Sequence, residues 1–263
     1  MRRHIAPEEL ARDSRFHRQS TVDRFSEPRQ TGEERRMDAA APDVAERARR
    51  QMHGIFVGEI QALEGAGRTC FDFDTGTGEG AVPFALKLDM ARQCWDEARH
   101  VEISIKLAEH MGGGIGEYAE SVTLFEAACH DDAVFRLAGV NRALEGLAID
   151  VFTTMRDFGN ATGDPTLTFC EDWMLADEVT HVKMGSTWLR SLTEKDPDRR
   201  ARALEFQGAV DALFNFKGMR GEDDGAAIRL ARRFREMAGF TGEEIDDIAE
   251  KATAERMAAA VPA

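Results

Sequence analysis

Two stretches decide how this chain reads. One is Ala62-Leu63-Glu64-Gly65 followed by Asp96-Glu97-Ala98-Arg99-His100-Val101. The other is Ala143-Leu144-Glu145-Gly146 followed by Asp177-Glu178-Val179-Thr180-His181-Val182. Matched residues are 81 positions apart throughout: 64 with 145, 97 with 178, 100 with 181, and Phe71 with Phe152. In each stretch the single Glu precedes the Glu-x-x-His by 33 residues. One Glu-x-x-His arises easily by chance because Glu is common. Two are much harder to obtain when each has an acid at the same distance upstream and the same flanking tetrapeptide.

The spacing has a physical meaning. Residues three apart on a helix differ by about 60° around its axis, so Glu97 and His100 share a face, as do Glu178 and His181. A gap of 33 residues fits one long helix, a short turn and the return of an antiparallel neighbour. Each half then reads as a helical hairpin with a Glu on one helix and Glu-x-x-His on the other. Two hairpins packed face to face make a four-helix bundle in which Glu64, Glu97, His100, Glu145, Glu178 and His181 converge. Four carboxylates buried without counter-ions would repel and desolvate badly, whereas two divalent ions balance their charge of −4. Mixed oxygen and nitrogen ligands suit two iron ions, an iron–manganese pair or two manganese ions. No thiolate enters the set, which argues against structural zinc.

Neighbouring residues fit around that set. A metal-bound His needs its other N–H held, often by a carboxylate; Asp96 and Asp177 are the candidates, each reaching the His of the opposite half. Their alternative is solvated surface charge. Arg99 is placed to neutralise nearby acids or to form a surface pair. Glu59 competes with Glu64 for the first ligand position, but lies about 140° away around the helix. The repeat selects Glu64, because Glu59 would map onto Val140. Glu59 is therefore expected beside the ligands or on the surface. Phe71, Cys94, Phe152 and Met174 are candidates to line a pocket at the site.

Working outward, residues 1–41 are polar and Arg-rich and read as an arm. Residues 42–195 read as the metal bundle, and 196–263 as C-terminal helices packed on it. Helices are expected from about Pro42 to Asp72, from Pro83 to Met111, as a short connector over 117–129, from Asp131 to Phe158 and from Pro165 to Leu192. FDTGTGEGAV and GGGIG are the breaks. Asp164 and Pro165 form an N-cap and first-turn pair. Asp196-Pro197 opens a further helix that ends before GEDDG. Two more follow, with Thr241-Gly-Glu-Glu244 as a capping box. No segment alternates as a strand does, so the fold class is all-α.

Composition sets outer limits. Among 263 residues, 43% are apolar and 31% charged, as in a soluble globular protein. The net charge of −14 repels phosphate backbones, so nucleic acid is not an expected partner. The four cysteines form no CxxC pair, no apolar run reaches membrane length, and the N-terminus lacks a secretory core. A cytoplasmic location is the expectation. One Tyr against 16 Phe weakens any mechanism built on a tyrosyl group.

The pattern over roughly residues 50–195 resembles the ferritin-like di-iron carboxylate superfamily. HGIFVGEIQALE, DEARHVE and DEVTHV resemble in particular a poorly characterised bacterial family of ferritin-like proteins. Asp96-Glu97-Ala98-Arg99-His100 is also similar to the motif of di-iron oxygenases. The second motif departs from it, with Thr180 where Arg would stand. The resemblance implies a ferritin-like four-helix bundle whose ligands are the six residues of the repeat. It also implies an O2-activating oxygenase or oxidase acting on a small organic substrate. An external electron donor and a homodimer are compatible with that activity. The alternative is iron handling as a ferroxidase. The additional segments before and after the bundle favour the enzyme, since a cage subunit is usually a bare bundle.

Overall fold

The computed structural model describes residues 44–76, 78, 80–118, 123–215 and 230–259. The proposed arm and the GEDDG break lie outside the described residues. The described chain is helical, with one isolated β-bridge between Thr75 and Val82 and no strand. Four long helices carry the architecture: α1 (Val44–Asp72), α2 (Phe84–His110), α5 (Glu145–Thr162) and α6 (Pro165–Leu192). Between them lie α3 (Thr123–Ala128), α4 (Ala133–Arg136) and a π-helical segment (Leu137–Leu144) that runs directly into α5. The chain continues through α7 (Pro197–Asn215), α8 (Arg232–Met237) and α9 (Gly242–Ala259).

Local chemistry accounts for the boundaries. Pro83 is the N-cap residue of α2, one position before its first turn. Asp132 caps α4, accepting from the amides of Val134 and Phe135. Gly163 ends α5 in the left-handed region (φ 71°), where a side chain is strained. Asp164 then accepts from the amides of Thr166 and Leu167, with Pro165 opening α6. At α9, Thr241 Oγ1 accepts from the Glu244 amide at 3.2 Å while the Glu244 carboxylate accepts from the Thr241 amide at 2.7 Å. The capping box expected there is formed.

The π segment is the feature with no warning in the sequence. All eight of its residues are buried. It is squeezed on two sides. A Cβ on Gly139 would stand 2.5 Å from the Ala128 carbonyl oxygen, and one on Gly185 would stand 2.4 Å from Asn141 Cβ. Glycine at both places lets α3 and α6 approach the segment closely.

α1 packs along α2, and α5 along α6. The two pairs meet through α2 with α6 and through α1 with α5 and the π segment. Met52 and Ile55 from α1, Leu107 from α2, Phe152 and Met155 from α5, and Met174 from α6 share one buried cluster. Each such side chain contributes about 1.5–3 kcal/mol on leaving water. Trp188 Nε1 donates to Asp89 across the α2–α6 contact at 2.7 Å. The C-terminal helices join the same core through Phe240, Ile245 and Ile248. Arg235, fully buried, pairs with Asp150 of α5 at 2.8 Å. Among the described residues no helix is long and apolar enough to cross a membrane.

Candidate metal centre

Charge accumulates where the four long helices face one another. Glu97 and His100 lie on the buried side of α2, Glu178 and His181 on that of α6, as three-residue spacing requires. α5 contributes Glu145, directly after the π segment. α1 contributes Glu59, which is 4% exposed. All six are buried, and they fall into two groups whose ligand atoms lie within 4.8 Å of one another. One group is Glu59, Glu97, His100 and Glu178; the other is Glu97, Glu145, Glu178 and His181. Glu97 and Glu178 belong to both.

The structure thus brings together five of the six residues expected from the repeat, and does not bring Glu64. That residue is half-buried and outside both groups. Glu59 stands in the place expected for it. Equal gaps of 33 residues imply equal placement only if both hairpins turn alike. They do not: residues 73–83 separate α1 from α2, whereas only residues 163–164 separate α5 from α6. Positions five apart lie about 140° from each other around α1, which fits Glu59, not Glu64, belonging to the cluster.

The histidines are oriented alike. His100 Nδ1 lies 3.0 Å from Glu59 Oε2, 3.0 Å from Glu178 Oε1 and 3.2 Å from Glu97 Oε2. His181 Nδ1 lies 3.1 Å from Glu97 Oε1 and 3.4 Å from Glu178 Oε2. Each Nε2 turns outward to the aspartate of the opposite half: His100 to Asp177 at 3.4 Å, His181 to Asp96 at 3.3 Å. Arg99 donates to Asp96 and reaches Asp177 Oδ2 at 3.5 Å, so one guanidinium serves both aspartates. Thr180, its repeat partner, bonds the Ala176 carbonyl of its own helix instead.

Burial and mutual charge shift every member of the cluster. Burial pushes Glu59 and Glu145 well above the ordinary carboxyl range. For Glu145 the charges of Glu97 and Glu178 push the same way, while for Glu59 the hydrogen bond to His100 opposes the shift. Burial also works against ionised Glu97 and Glu178, but the two imidazoles hold both below the usual range. Burial would discharge the imidazoles, yet the surrounding carboxylates and aspartates raise both. Even so, the close contacts of Glu97 Oε2, both Glu178 oxygens and His181 Nδ1 lack hydrogen-bond geometry, and Glu145 Oε2 has no hydrogen-bond partner. Buried acceptors left in this state are costly. Divalent cations between the carboxylates and the Nδ1 atoms would satisfy them, leaving each Nε2–H to its aspartate. The donor set is therefore chemically suited to metal ions.

Of the pocket candidates, Phe152 and Met174 are fully buried, and the Phe152 ring meets the His100 ring edge-on at 6.2 Å. Cys94 is half-buried, and the neighbouring Cys70 and burial push its thiol up. Phe71 does not line the site: it lies at the end of α1, twelve residues beyond Glu59, and is 37% exposed.

Three residues escaped the reading of the sequence. Gln93 donates to Glu97 Oε1 at 3.1 Å and to Glu145 Oε1 at 2.5 Å. Asn141, on the π segment, donates to Gln93 Oε1 at 2.6 Å. Glu171, one α6 face with Glu178, is fully buried with neither oxygen partnered. The repeat register held a signal for two of them. Gln93 faces Met174 in it, and Glu171 faces Met90, so polar residues stand opposite apolar ones.

Fold and site together define an all-helical protein with a buried carboxylate–histidine cluster that could hold metal. The chain belongs to the family described as protein of unknown function DUF455, whose model matches residues 3–246. No curated protein and no solved structure matches it.

Proposed function

We propose that this chain is a ferritin-like dinuclear metalloprotein that activates O2 to oxidise a small organic substrate. The metals are two iron ions, an iron–manganese pair or two manganese ions. The observation that carries the reading is the sharing of Glu97 and Glu178 by both ligand groups. Two independent mononuclear sites would need no common ligand, whereas a bridged pair does. Redox-active ions held this way supply electrons to O2 when bound. The chain's own residues then fix the ions, orient the imidazoles through Asp96 and Asp177, and keep bulk water out with Phe152 and Met174. The flank formed by α7–α9 supports an enzyme over a bare storage subunit, since these helices add walls to the bundle.

The test is metal analysis of protein purified without oxygen, followed by optical spectra on O2 addition. Two metal ions per chain and an O2-dependent visible absorption are expected. Less than one ion per chain would refute the reading. A particle of many subunits on size exclusion would redirect it to iron storage.

A further inference from the structure

The two halves of the cluster have unlike surroundings. Beside Glu97, Glu145 and His181 stand neutral amides: Gln93 donates to one oxygen of each glutamate and is itself held by Asn141. An oxygen that accepts from an amide has less lone-pair capacity left for an ion. Among the described residues, the carboxylate and Nδ1 contacts of Glu59 and His100 include no amide side chain. The repeat partner of Gln93 there is Met174, and the repeat partner of Met90 is Glu171.

Glu171 is the unexplained group. It lies seven residues before Glu178, about 20° away around α6 and roughly 10 Å along it, so it shares the inward stripe. It is fully buried, and neither oxygen has a hydrogen-bond partner. Burial pushes its carboxyl well up. The charges that reach it are those of Glu59 and His100, both members of the same ligand group. It lies outside both groups of converging ligand atoms, so the six-residue centre does not account for it. A buried, unpartnered acid in this position costs stability.

We propose that Glu171 serves the Glu59–Glu97–His100–Glu178 position as a further carboxylate. This position then holds its divalent cation more tightly than the Glu97–Glu145–Glu178–His181 position does. The inference rests on the dinuclear reading. It adds that the two ions are unequal and names the residue that makes them so.

Titration of the metal-free full chain with Mn(II), followed by calorimetry and by electron paramagnetic resonance of free Mn(II), tests it. Two binding events of different affinity are expected for the unaltered chain, with Glu59→Ala removing the tighter one. Glu171→Gln and Glu171→Met, the latter installing the residue of the other half, should weaken the tighter event by about tenfold or more. The weaker event should stay unchanged. Both variants should melt at or above the temperature of the unaltered metal-free chain, which shows that they fold. Two binding events unchanged in both variants would overturn the role of Glu171 and leave the dinuclear centre standing. An unaltered chain that takes up no Mn(II), Fe(II) or Co(II) would overturn the centre itself.

Discussion

The hairpin of α1 and α2 and the hairpin of α5 and α6 deliver the same chemistry by different routes. Their Glu-x-x-His segments are true counterparts, and each histidine meets the aspartate of the other half. Their outer glutamates are not counterparts. Glu145 belongs to the repeated Ala-Leu-Glu-Gly, whereas Glu59 lies five residues before the equivalent position. The small residues of the tetrapeptide are packed in both copies. Ala62 and Ala143 lie in one buried cluster, and a Cβ on Gly65 would stand 3.2 Å from Val140. Small residues are needed where α1 crosses the π segment; the glutamate inside each copy faces what its own helix dictates. An i→i+5 ladder turns less per residue than an α-helix, so the eight-residue π segment re-aims Glu145. α1 has no such segment and uses another residue.

The largest effects should come from residues that the halves share. Glu97→Ala or Glu178→Ala removes a ligand of both positions and should abolish uptake of both ions, read by elemental analysis. His181→Ala removes a ligand of one position and should cost one ion. Glu59→Gln and Glu145→Gln should each cost one ion. Glu64→Gln should cost none. Loss of an ion in Glu64→Gln with retention in Glu59→Gln would restore the strict repeat and break the comparison.

Acidity separates the empty cluster from the filled one. Glu59 and Glu145 are raised by burial, so above an ordinary value near 4.5 the metal-free native state keeps protons that the unfolded chain releases. His100 and His181 are raised too, and act with the same sign above about pH 6.5. Stability of the metal-free chain should therefore fall as pH rises through neutrality. Glu97 and Glu178, held low, work the other way only in acid, where their contribution is lost as pH falls through their depressed range. Ions displace these protons, so affinity should rise with pH by about 1.4 kcal/mol per pH unit for each proton released. Melting curves with and without Mn(II) between about pH 5.5 and 7.5 would show the gap widening. A constant gap would mean that no protons are exchanged.

Much of this was legible in the sequence. Helical periodicity and caps placed the long helices, and three-residue spacing placed both Glu-x-x-His pairs. Crossed support by Asp96 and Asp177 followed from what a ligating imidazole needs. What could not be read depends on contacts between helices. The π segment arises where α3 and α6 press on Gly139 and Asn141. The choice of Glu59 depends on the length of a turn and the facing of α1, neither of which an 81-residue offset encodes. Glu171 looked like one more acid among 48 Asp and Glu residues; only its burial distinguishes it.

The subtlest difference between the halves is in how the imidazoles are held. Asp96 has a side chain 5% exposed and accepts from Arg99, with Arg92 at 3.4 Å as a second cation. His181 and Arg99 hold its carboxyl below the usual range against the effect of burial. Asp177 is 19% exposed on its side chain, and among the described residues one guanidinium, that of Arg99, pairs with it, at 3.5 Å. Water reaches Asp177 more readily than Asp96 and screens its charge more. Outer partners of ligating histidines are worth about 10- to 100-fold in metal affinity. Asp96→Asn should fall at the upper end of that range and Asp177→Asn at the lower, each confined to the position of its own histidine. Arg99→Gln should weaken both positions, since one guanidinium spans the two aspartates and Thr180 offers no replacement. If Arg99→Gln weakened only the His181 side, the bridge to Asp177 would be idle and each half would support its imidazole alone.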